Sequence, residues 1–529
     1  MKTYIKNIIP AAALLMAVGF SSCTKDLDVT PIDPNLNTEI QPEALFNKCY
    51  ANIAVAGNGG ANGDCDVDGI DGGTSGYIRQ MWNAQELTSD EAICGWGDEG
   101  IANFCYNTYD ASHPMLRGFY YRLYTGISFC NQYLKEFSGH NAAMTAEIRF
   151  IRALNYFFLL DGWGNVPFVT GISSEKPIQY SRDELYDFIE SELLEIEPQL
   201  NDATAKKSTD SGYGRVDKAA DWLLLARLYL NAEVYTGAAE WQKAAEYAKK
   251  VMDSSYKLNT TGTNGWSAYQ MLFMGDNGES SAAYEAVFPI LQDGARTTSW
   301  GTTLFVLAST HDADMADTNG STEAWGGNRA RPQLIEKFFP NLDAPEAAPA
   351  DIVKAAGDDR AIFDTRGRTL NNEDVSTFKS GYAVAKYTNL TSTGASTKSG
   401  QFPDGDFFLM RSAEAYLTYA EAQARMNGGA TNAEAANAIN MLRERAKADT
   451  KSNYSLDDIC DEWCREFYFE GRRRMDLVRF GKFGGNSNYV WQWKGGSYNG
   501  RNFDATRNIF AIPTTDLTAN PNLTQNPGY

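Results

Sequence analysis

Histidine is scarce in this sequence of 529 residues. The three histidines are His113, His140 and His311, and no two of them are spaced as a HExxH zinc site requires. A serine triad or a cysteine–histidine pair would have to use one of these three, and none lies in a recognisable nucleophile motif. The sequence therefore lacks the common markers of a zinc peptidase or a nucleophilic hydrolase.

Basic residues are also in deficit. Lys and Arg total 47 against 67 Asp and Glu, so the formal net charge is -20. Tracking a phosphate backbone requires clustered Lys and Arg, so we expect no nucleic-acid partner. The same negative charge argues against binding to an anionic membrane by charge alone.

Long hydrophobic runs are missing after the N-terminus, where one short run occurs. Ile8 to Phe20 is apolar apart from Pro10, and Lys2 and Lys6 precede it. This run is shorter than the ~20 residues that cross a bilayer, but it suits the central region of a signal peptide. We therefore predict a lipoprotein signal peptide at 1–22.

The predicted signal peptide ends in small residues directly before Cys23, which resembles a loose lipobox. Cys23 is the predicted lipidation site, and residues 23–40 form a polar tether containing Pro31 and Pro34. Acidic residues soon after Cys23 resemble the export signal of lipoproteins that face the cell exterior. Plain secretion with cleavage elsewhere is the alternative, and lipid would be the sole membrane anchor.

Cysteine is also sparse. Seven cysteines remain after Cys23, an odd number that a complete internal disulfide framework cannot use. Cys460 and Cys464 are four residues apart on a predicted helix, where small buried residues are more common than metal ligands. The sequence alone assigns no pairing among these seven cysteines.

Helical periodicity is the strongest pattern along the chain. Two pairs of segments alternate large and small apolar residues, with Ala226 between Leu223 and Tyr229 in one of them. Such alternation allows close helix pairing of the tetratricopeptide (TPR) kind. The last predicted helix also carries acid-first pairs, Asp461–Arg465 and Glu470–Arg474. The predicted helices are 141–163, 182–198, 216–234 with 239–253, 408–427 with 432–447, and 455–480.

Long stretches rich in Gly, Asn, Thr and Asp separate the helical blocks. Loops of this length are usually functional or disordered, but disordered segments are poor in aromatic residues. Here Trp96, Trp266, Trp300 and Trp325 lie in or near them. We therefore predict ordered loops with exposed or half-exposed rings. The stretches are 57–76, 259–281, 293–331 and 483–506.

Three segments resemble a known family. They are EIRFIRALNYFFLLDGWGNVPF at 147–168, REFYFEGRRRMDLVRFG at 465–481 and NPNLTQNPGY at 520–529. With the lipobox and the TPR-like pairs, they occur in the order seen in the SusD/RagB family of outer-membrane lipoproteins. The resemblance covers essentially the whole chain.

The resemblance implies a mainly α fold with about four TPR-like units and a loop-rich glycan-binding face. Residues 41–529 would form a single domain, with ligand loops near 57–101 and 259–331. The protein would be a non-enzymatic glycan-binding lipoprotein on the outer membrane, facing the cell exterior. It would deliver oligosaccharides to a TonB-dependent, SusC-like transporter.

The similarity is closest to the starch-binding prototype of that family, which implies an α-1,4-glucan ligand such as starch or a malto-oligosaccharide. Three aromatic residues cradle the glucan in the prototype, and the matching positions are Trp96, Trp300 and Trp325. Asp71 and Arg79 match polar groups beside that arc. Glu99 replaces an asparagine of the prototype, which puts one hydrogen bond in question.

Indole rings suit this ligand because a pyranose has an apolar C–H face. Each stacked ring contributes roughly 0.5–1.5 kcal/mol beyond area burial, by analogy with aromatic pairs. Three rings then give a dissociation constant on the order of 0.1–1 mM after association costs. Without the resemblance, a buried residue that holds its loop is the more common interpretation of each tryptophan.

The resemblance also implies a structural calcium ion near acidic loops, although no cofactor is required. Asp276, Asp404 and Asp406 are the candidate ligands. Carboxylate oxygens are the groups that calcium prefers.

Three alternatives to the α-glucan prediction stay open. The first is a binder of a different glycan within the same family. The second is a glycoside hydrolase, because 67 acidic residues can always include a catalytic pair of carboxylates. The third is an interaction scaffold whose TPR faces bind a peptide.

Overall fold

A computed structural model of the protein describes residues 40–529. The predicted signal peptide, Cys23 and the tether up to residue 39 lie outside the described residues. The chain divides into a unit that ends at Ala44 and a compact unit of Leu45–Tyr529. No helix within residues 40–529 combines the length and the apolar character needed to cross a membrane.

Helices make up most of the regular structure, as predicted, and the strands are short antiparallel pairs. The pairs are β1 with β5, β2 with β3, β4 with β8 and β6 with β7. The strands are β1 (Ala92–Cys94), β2 (Val166–Pro167), β3 (Gln179–Tyr180), β4 (Ala286–Ile290), β5 (Asn328–Ala330), β6 (Phe363–Asp364), β7 (Ala383–Val384) and β8 (Phe407–Arg411). The helices are α1 (Pro42–Ala54), α2 (Gly72–Ser75), α3 (Tyr77–Trp82), α4 (Ile101–Cys105), α5 (Pro114–Phe137), α6 (Ala142–Gly162), α7 (Arg182–Ile196), α8 (Lys218–Leu230), α9 (Ala232–Thr236), α10 (Trp241–Asp253), α11 (Thr302–Ser309), α12 (Pro332–Glu336), α13 (Pro349–Ala356), α14 (Ala413–Met426), α15 (Ala433–Arg445), α16 (Leu456–Phe467), α17 (Arg473–Arg479) and α18 (Thr514–Ala519).

Two of the packed pairs of long helices, α8 with α10 and α14 with α15, are those that the sequence predicts, whereas the helix α5 was not predicted. α5 packs on α6, α8 on α10, α14 on α15, and α10 also packs on α14. Small residues permit this close packing, since Ala244, Ala245 and Ala248 of α10 are all buried. Local signals fix the helix starts: Asn141 caps α6, and Ser181 begins α7 with a capping box.

The predicted helix at 408–427 is wrong at its start. Phe407–Arg411 is the strand β8, paired with β4, and the helix begins only at Ala413. All five residues of β8 are buried, so apolar periodicity cannot distinguish a strand from a helix there. Pairing with a distant strand decides the conformation.

The predicted helix at 455–480 is broken in two. Phe469 and Gly471 have positive φ angles of 63° and 81°, which end α16 before α17 begins. The turn directs Glu470 to Arg411 and Lys386 rather than to Arg474. Asp461 likewise pairs with Lys337 instead of Arg465. Both predicted acid-first pairs are therefore wrong.

A buried ionic network joins these helices to β4 and β8. Arg411 bonds Glu285, Glu466 and Glu470, with five hydrogen bonds in all. Burial alone would raise the pKa of Glu466, but three guanidinium groups outweigh it and hold that pKa at about 2. The ionic network comprises Glu285, Arg360, Arg411, Arg445, Glu462, Glu466 and Glu470.

Candidate glycan-binding site

The strand pair β1–β5 brings two predicted tryptophans together. Trp96 follows β1 and Trp325 precedes β5, and the two strands run antiparallel. The backbone of Gly95 donates a hydrogen bond to the Gly327 carbonyl, which extends the pairing toward the rings. The Nε1 of Trp96 donates to the Trp325 carbonyl at 3.2 Å. Residues 229 positions apart thus become neighbours.

The helix α11 positions the third tryptophan. Trp300 lies two residues before this helix. At the other end of the helix, the backbone N–H of Trp325 donates to the Ala308 carbonyl at 2.8 Å. Thr302 begins α11 with a positive φ of 55°, and its hydroxyl donates to the Ala54 carbonyl. One helix therefore fixes the separation of Trp300 and Trp325.

The three rings form a row, which we call the tryptophan platform. Trp325 is in the middle, with centroids 6.3 Å from Trp96 and 6.4 Å from Trp300. Neighbouring planes are inclined by 58° and 48°. All three side chains are half-buried, so none is wholly enclosed in the core. Because the planes are tilted, a flat rigid ligand cannot stack on all three rings.

Glycine is required beneath the first ring. A Cβ at Gly327 would lie 2.2 Å from Cε2 of Trp96, closer than side-chain carbons approach. The Trp96 ring therefore packs directly over the backbone of Gly327, the residue before β5. This contact explains how the ring can lie so close to Trp325.

Arg79 lies beside the tryptophan platform. Its guanidinium is 5.6 Å from the Trp96 ring and 5.2 Å from that of Phe305. Among the described residues its buried Nε has no hydrogen-bond partner. Burial lowers the pKa of this guanidinium, while Asp98 and Asp71 favour its charged form. The two Nη atoms of Arg79 also donate to no residue within 40–529, so the guanidinium retains donors for a ligand.

Asp71 and Glu99 are both exposed, at the edge of this region. Asp71 caps α2, where one carboxylate oxygen accepts the Thr74 N–H at 3.0 Å. Partial burial opposes ionisation of Asp71, but the bonds from Thr74 outweigh it and lower its pKa. Glu99 lies in the turn before α4. Neither residue is as closely associated with the rings as Arg79 is.

Sequence reasoning missed three side chains of this site. Phe402 packs against Trp300 with centroids 5.2 Å apart, which extends the row by one ring. Glu323 accepts from the Trp325 Nε1 at 2.7 Å and from Gln401 at 2.8 Å. The available signal was an aromatic residue between Gly400 and Pro403 in a polar stretch, which is weak alone.

The three candidate calcium ligands do not fit a metal ion. Every carboxylate oxygen of Asp276, Asp404 and Asp406 already accepts a hydrogen bond, at 2.7–2.9 Å. Calcium takes six to eight oxygen ligands, and these carboxylate oxygens are directed instead at backbone and hydroxyl donors of the protein. Across residues 40–529, no group of three or more His, Cys, Asp or Glu side chains could hold a metal ion.

Two of these aspartates instead support the loop that leads to Trp300. Asp406 accepts the Gln292 N–H at 2.7 Å, and Asp404 accepts the Gly294 N–H at 2.8 Å. Burial raises the pKa of Asp406 to about 7, against the lowering effect of the Tyr213 hydroxyl. Their role in the structure is to anchor a loop.

Sequence comparison decides the family. The chain is 38% identical to the starch-binding protein SusD of Bacteroides thetaiotaomicron, over all of both chains. The chain belongs to the SusD family. The family profile itself matches residues 345–529. A SusD-like protein, P2, of Formosa agariphila is 27% identical, again over the full length of both chains.

Solved structures confirm the TPR-like SusD fold. Surface glycan-binding protein A from Bacteroides uniformis matches with a TM-score of 0.66 at 22% identity, covering 92% of this chain and 98% of that one. Surface glycan-binding protein A from Bacteroides thetaiotaomicron, in complex with laminarihexaose, matches with a TM-score of 0.65 at 18% identity, covering 92% of this chain and 98% of that one. The relatives that carry a function in their names are binding proteins and not enzymes.

Proposed function

We propose that this SusD-family protein binds α-1,4-glucan, as starch or malto-oligosaccharide, on the tryptophan platform. The row of three half-buried, mutually tilted indoles carries the proposal. An α-1,4-glucan is a curved chain, so successive sugars can each meet one inclined ring. The full-length likeness to a starch-binding relative supports the same ligand.

Polar groups beside the rings complete the proposed site. Arg79 offers a fork of donors to adjacent sugar hydroxyls. Asp71 and Glu99 supply acceptors at the edge, while Glu323 is already engaged by Trp325 and Gln401. The protein binds the sugar and does not cleave it, since stacking and hydrogen bonding alone account for these groups.

Affinity electrophoresis in gels containing amylopectin tests this site. Trp96→Ala, Trp300→Ala and Trp325→Ala should each weaken retardation by about threefold to tenfold, because each loses one stack. Trp241→Ala is the matched control, since Trp241 is half-buried on α10 and contacts Arg425 instead. Unchanged mobility of all three platform variants would refute the site.

A different glycan is the second candidate ligand. Ring stacking selects the shape of a ligand and not its linkage, so gels with other glucans should be run in parallel. Stronger retardation in a β-glucan gel than in amylopectin would favour this candidate. Released glucose or shortened chains after incubation with malto-oligosaccharides would instead indicate a hydrolase.

The proposed cellular role is delivery of captured glucan to a SusC-like TonB-dependent transporter in the outer membrane. Lipid on Cys23 would anchor the protein there, facing the cell exterior. Metabolic labelling with a palmitate analogue should label the native protein and spare Cys23→Ala. Copurification with a SusC-like barrel, by a variant lacking the platform rings, would separate transporter binding from glycan capture.

A further inference from the structure

A second concave surface lies away from the tryptophan platform. It is a cleft of about 1330 Å³ between the loop 257–270 and the helices α13 and α15. A smaller chamber of about 460 Å³ shares Trp266, Gln270 and Ala350 with it. Pockets of 300–1,000 Å³ hold typical small ligands, so the combined space has room for a short oligosaccharide.

Trp266 lies at the junction of the two chambers. A two-way backbone pair with Thr263 fixes its turn, at 3.1 and 2.9 Å. Gly262 is required there, because a Cβ would lie 2.1 Å from the Trp266 carbonyl oxygen. Asn264 ties the turn to Ser392 by a hydrogen bond of 2.8 Å. The half-buried indole is therefore held in place at the surface of the cleft.

Polar atoms around this ring lack protein partners. Within residues 40–529, no side-chain or backbone acceptor pairs with the Nε1 of Trp266 or the Nε2 of Gln270. The imidazole of His311, in the smaller chamber, is also unbonded among those residues. The Oε1 of Gln270 accepts the Ser267 N–H at 2.9 Å, which directs its amide. These atoms are therefore free to pair with the hydroxyl groups of a ligand that enters the cleft.

Some of the charges in the cleft wall are compensated within the protein, while Lys257, Lys354 and Glu444 line the cleft without an ion-pair partner in residues 40–529. Lys447 pairs with Asp359 at 2.9 Å, and Asp358 pairs with Arg360 at 2.8 Å. Arg445 belongs to the buried ionic network. The unpaired lining charges are of both signs, two lysines and one glutamate, so the wall offers donors and an acceptor to a ligand rich in hydroxyl groups.

From this geometry we propose that the cleft is a second saccharide site, with Trp266 as its stacking residue. The indole would take the apolar face of one sugar, while Trp266 Nε1 and Gln270 Nε2 donate to its hydroxyls. The choice of a glucan as the occupant rests on the proposed function. The location of the site rests on the cleft itself.

The cleft and the tryptophan platform are connected through α11. Leu307 of this helix lines the smaller chamber, whereas Ala308 holds Trp325 and Trp300 precedes the helix. A long glucan captured on the platform could thus be retained by a second contact on the same protein. Two weak sites on one chain raise the overall affinity for a polymer by effective concentration.

Fluorine NMR of the protein labelled with 5-fluorotryptophan tests the second site. The starting variant carries Trp96→Ala, Trp300→Ala and Trp325→Ala, so that the platform is absent. Adding Trp266→Phe identifies the Trp266 resonance by its loss, and Trp241→Phe identifies a control resonance. Maltoheptaose is then titrated up to its solubility limit.

The Trp266 resonance should shift with maltoheptaose while the Trp241 resonance stays in place. Trp266→Ala should weaken the residual binding about tenfold, and Trp266→Phe should weaken it less, because it keeps a ring. Thermal unfolding of each variant must match that of its parent. A stationary Trp266 resonance would overturn the second site.

The two proposals fail in different ways. If the intact protein shows no loss of binding when the platform rings are removed, the proposed function at the platform fails. A Trp266 resonance that still shifts would then leave the cleft as the glucan site. Loss of binding on platform removal, with no Trp266 response, would leave the platform and reject the cleft.

Discussion

Arg79, beside the tryptophan platform, and Arg411, in the buried ionic network, both pack against aromatic rings, but the two guanidiniums have different surroundings. Arg411 makes five hydrogen bonds and lies 3.9 Å from the Phe467 ring. Arg79 also lies against aromatic rings, yet its Nε has no partner in the described part of the chain. The same side chain therefore serves stability in one region and keeps free donors in the other.

The difference has an energetic meaning. A buried charge costs free energy unless it is paired and hydrogen-bonded. The network compensates that cost within the protein, whereas the half-buried Arg79 keeps donors that a ligand can use. A substitution in the ionic network should therefore lower the free energy of unfolding, whereas a substitution of Arg79 should weaken binding and change stability little.

Loss of Arg411 should have the largest effect. Arg411→Met leaves Glu285, Glu466 and Glu470 buried with fewer cations, so the free energy of unfolding should fall by about 3–5 kcal/mol. Urea unfolding followed by circular dichroism measures it. Arg79→Met is the matched control. If Arg411→Met lowers the free energy of unfolding by less than about 1 kcal/mol, the two arginines do not differ in their contribution to stability.

Asp406 is a buried acid whose effect on the free energy of unfolding depends on pH. Its pKa is about 7 when folded against an ordinary 3.8, so between these values the folded state binds a proton that the unfolded state lacks. This group therefore contributes stability at low pH that is lost as the pH rises toward 7.

Asp406→Asn should remove that dependence while keeping an acceptor for the Gln292 N–H. We expect the variant to be more stable than the parent by about 2 kcal/mol at pH 8 and to lose this advantage near pH 4. Unfolding curves across this pH range give the difference. A difference that does not change with pH would show that Asp406 ionises normally.

Removal of Arg79 should weaken binding and spare stability. Arg79→Met keeps the contact with Trp96 and Phe305 but removes the donors, so affinity for maltoheptaose should fall about tenfold. The free energy of unfolding should change by less than about 1 kcal/mol, because the side chain makes no hydrogen bond within residues 40–529. Calorimetric titration and urea unfolding together check it. A stability loss as large as that of Arg411→Met would make Arg79 a structural residue.

Phe402 should make the smallest contribution. Phe402→Ala removes the ring beside Trp300, so binding of long malto-oligosaccharides should weaken about threefold. Phe402→Tyr retains the ring and serves as the control. Equal affinity of all three proteins for long ligands would place Phe402 outside the site.

How far the sequence could predict the molecule depends on how local each signal is. The helix α6 was predictable because Asn141, its apolar stripe and the glycines after Leu160 are neighbours in the chain. The strand β8 was not, because its conformation depends on β4, more than a hundred residues earlier. The break at Phe469 was missed because Gly471 was its one local signal, and the positive φ of Phe469 itself is unusual for that residue type.

The same distinction applies to the candidate site. The grouping of Trp96, Trp300 and Trp325 was expected only through the family resemblance, since nothing local to each residue indicates the others. Phe402 and Glu323 were missed because each is ordinary in its own segment. The unpaired state of Arg79 is a property of its surroundings and requires coordinates.

The mutual tilt of the platform rings has a consequence for polymer selection. A straight or crystalline chain touches one indole at a time, whereas a loosely coiled chain in solution can touch three. Occupancy would then depend on how the polymer is coiled as well as on the sugar it contains. Granular and dissolved forms of the same glucan would compete unequally for this protein.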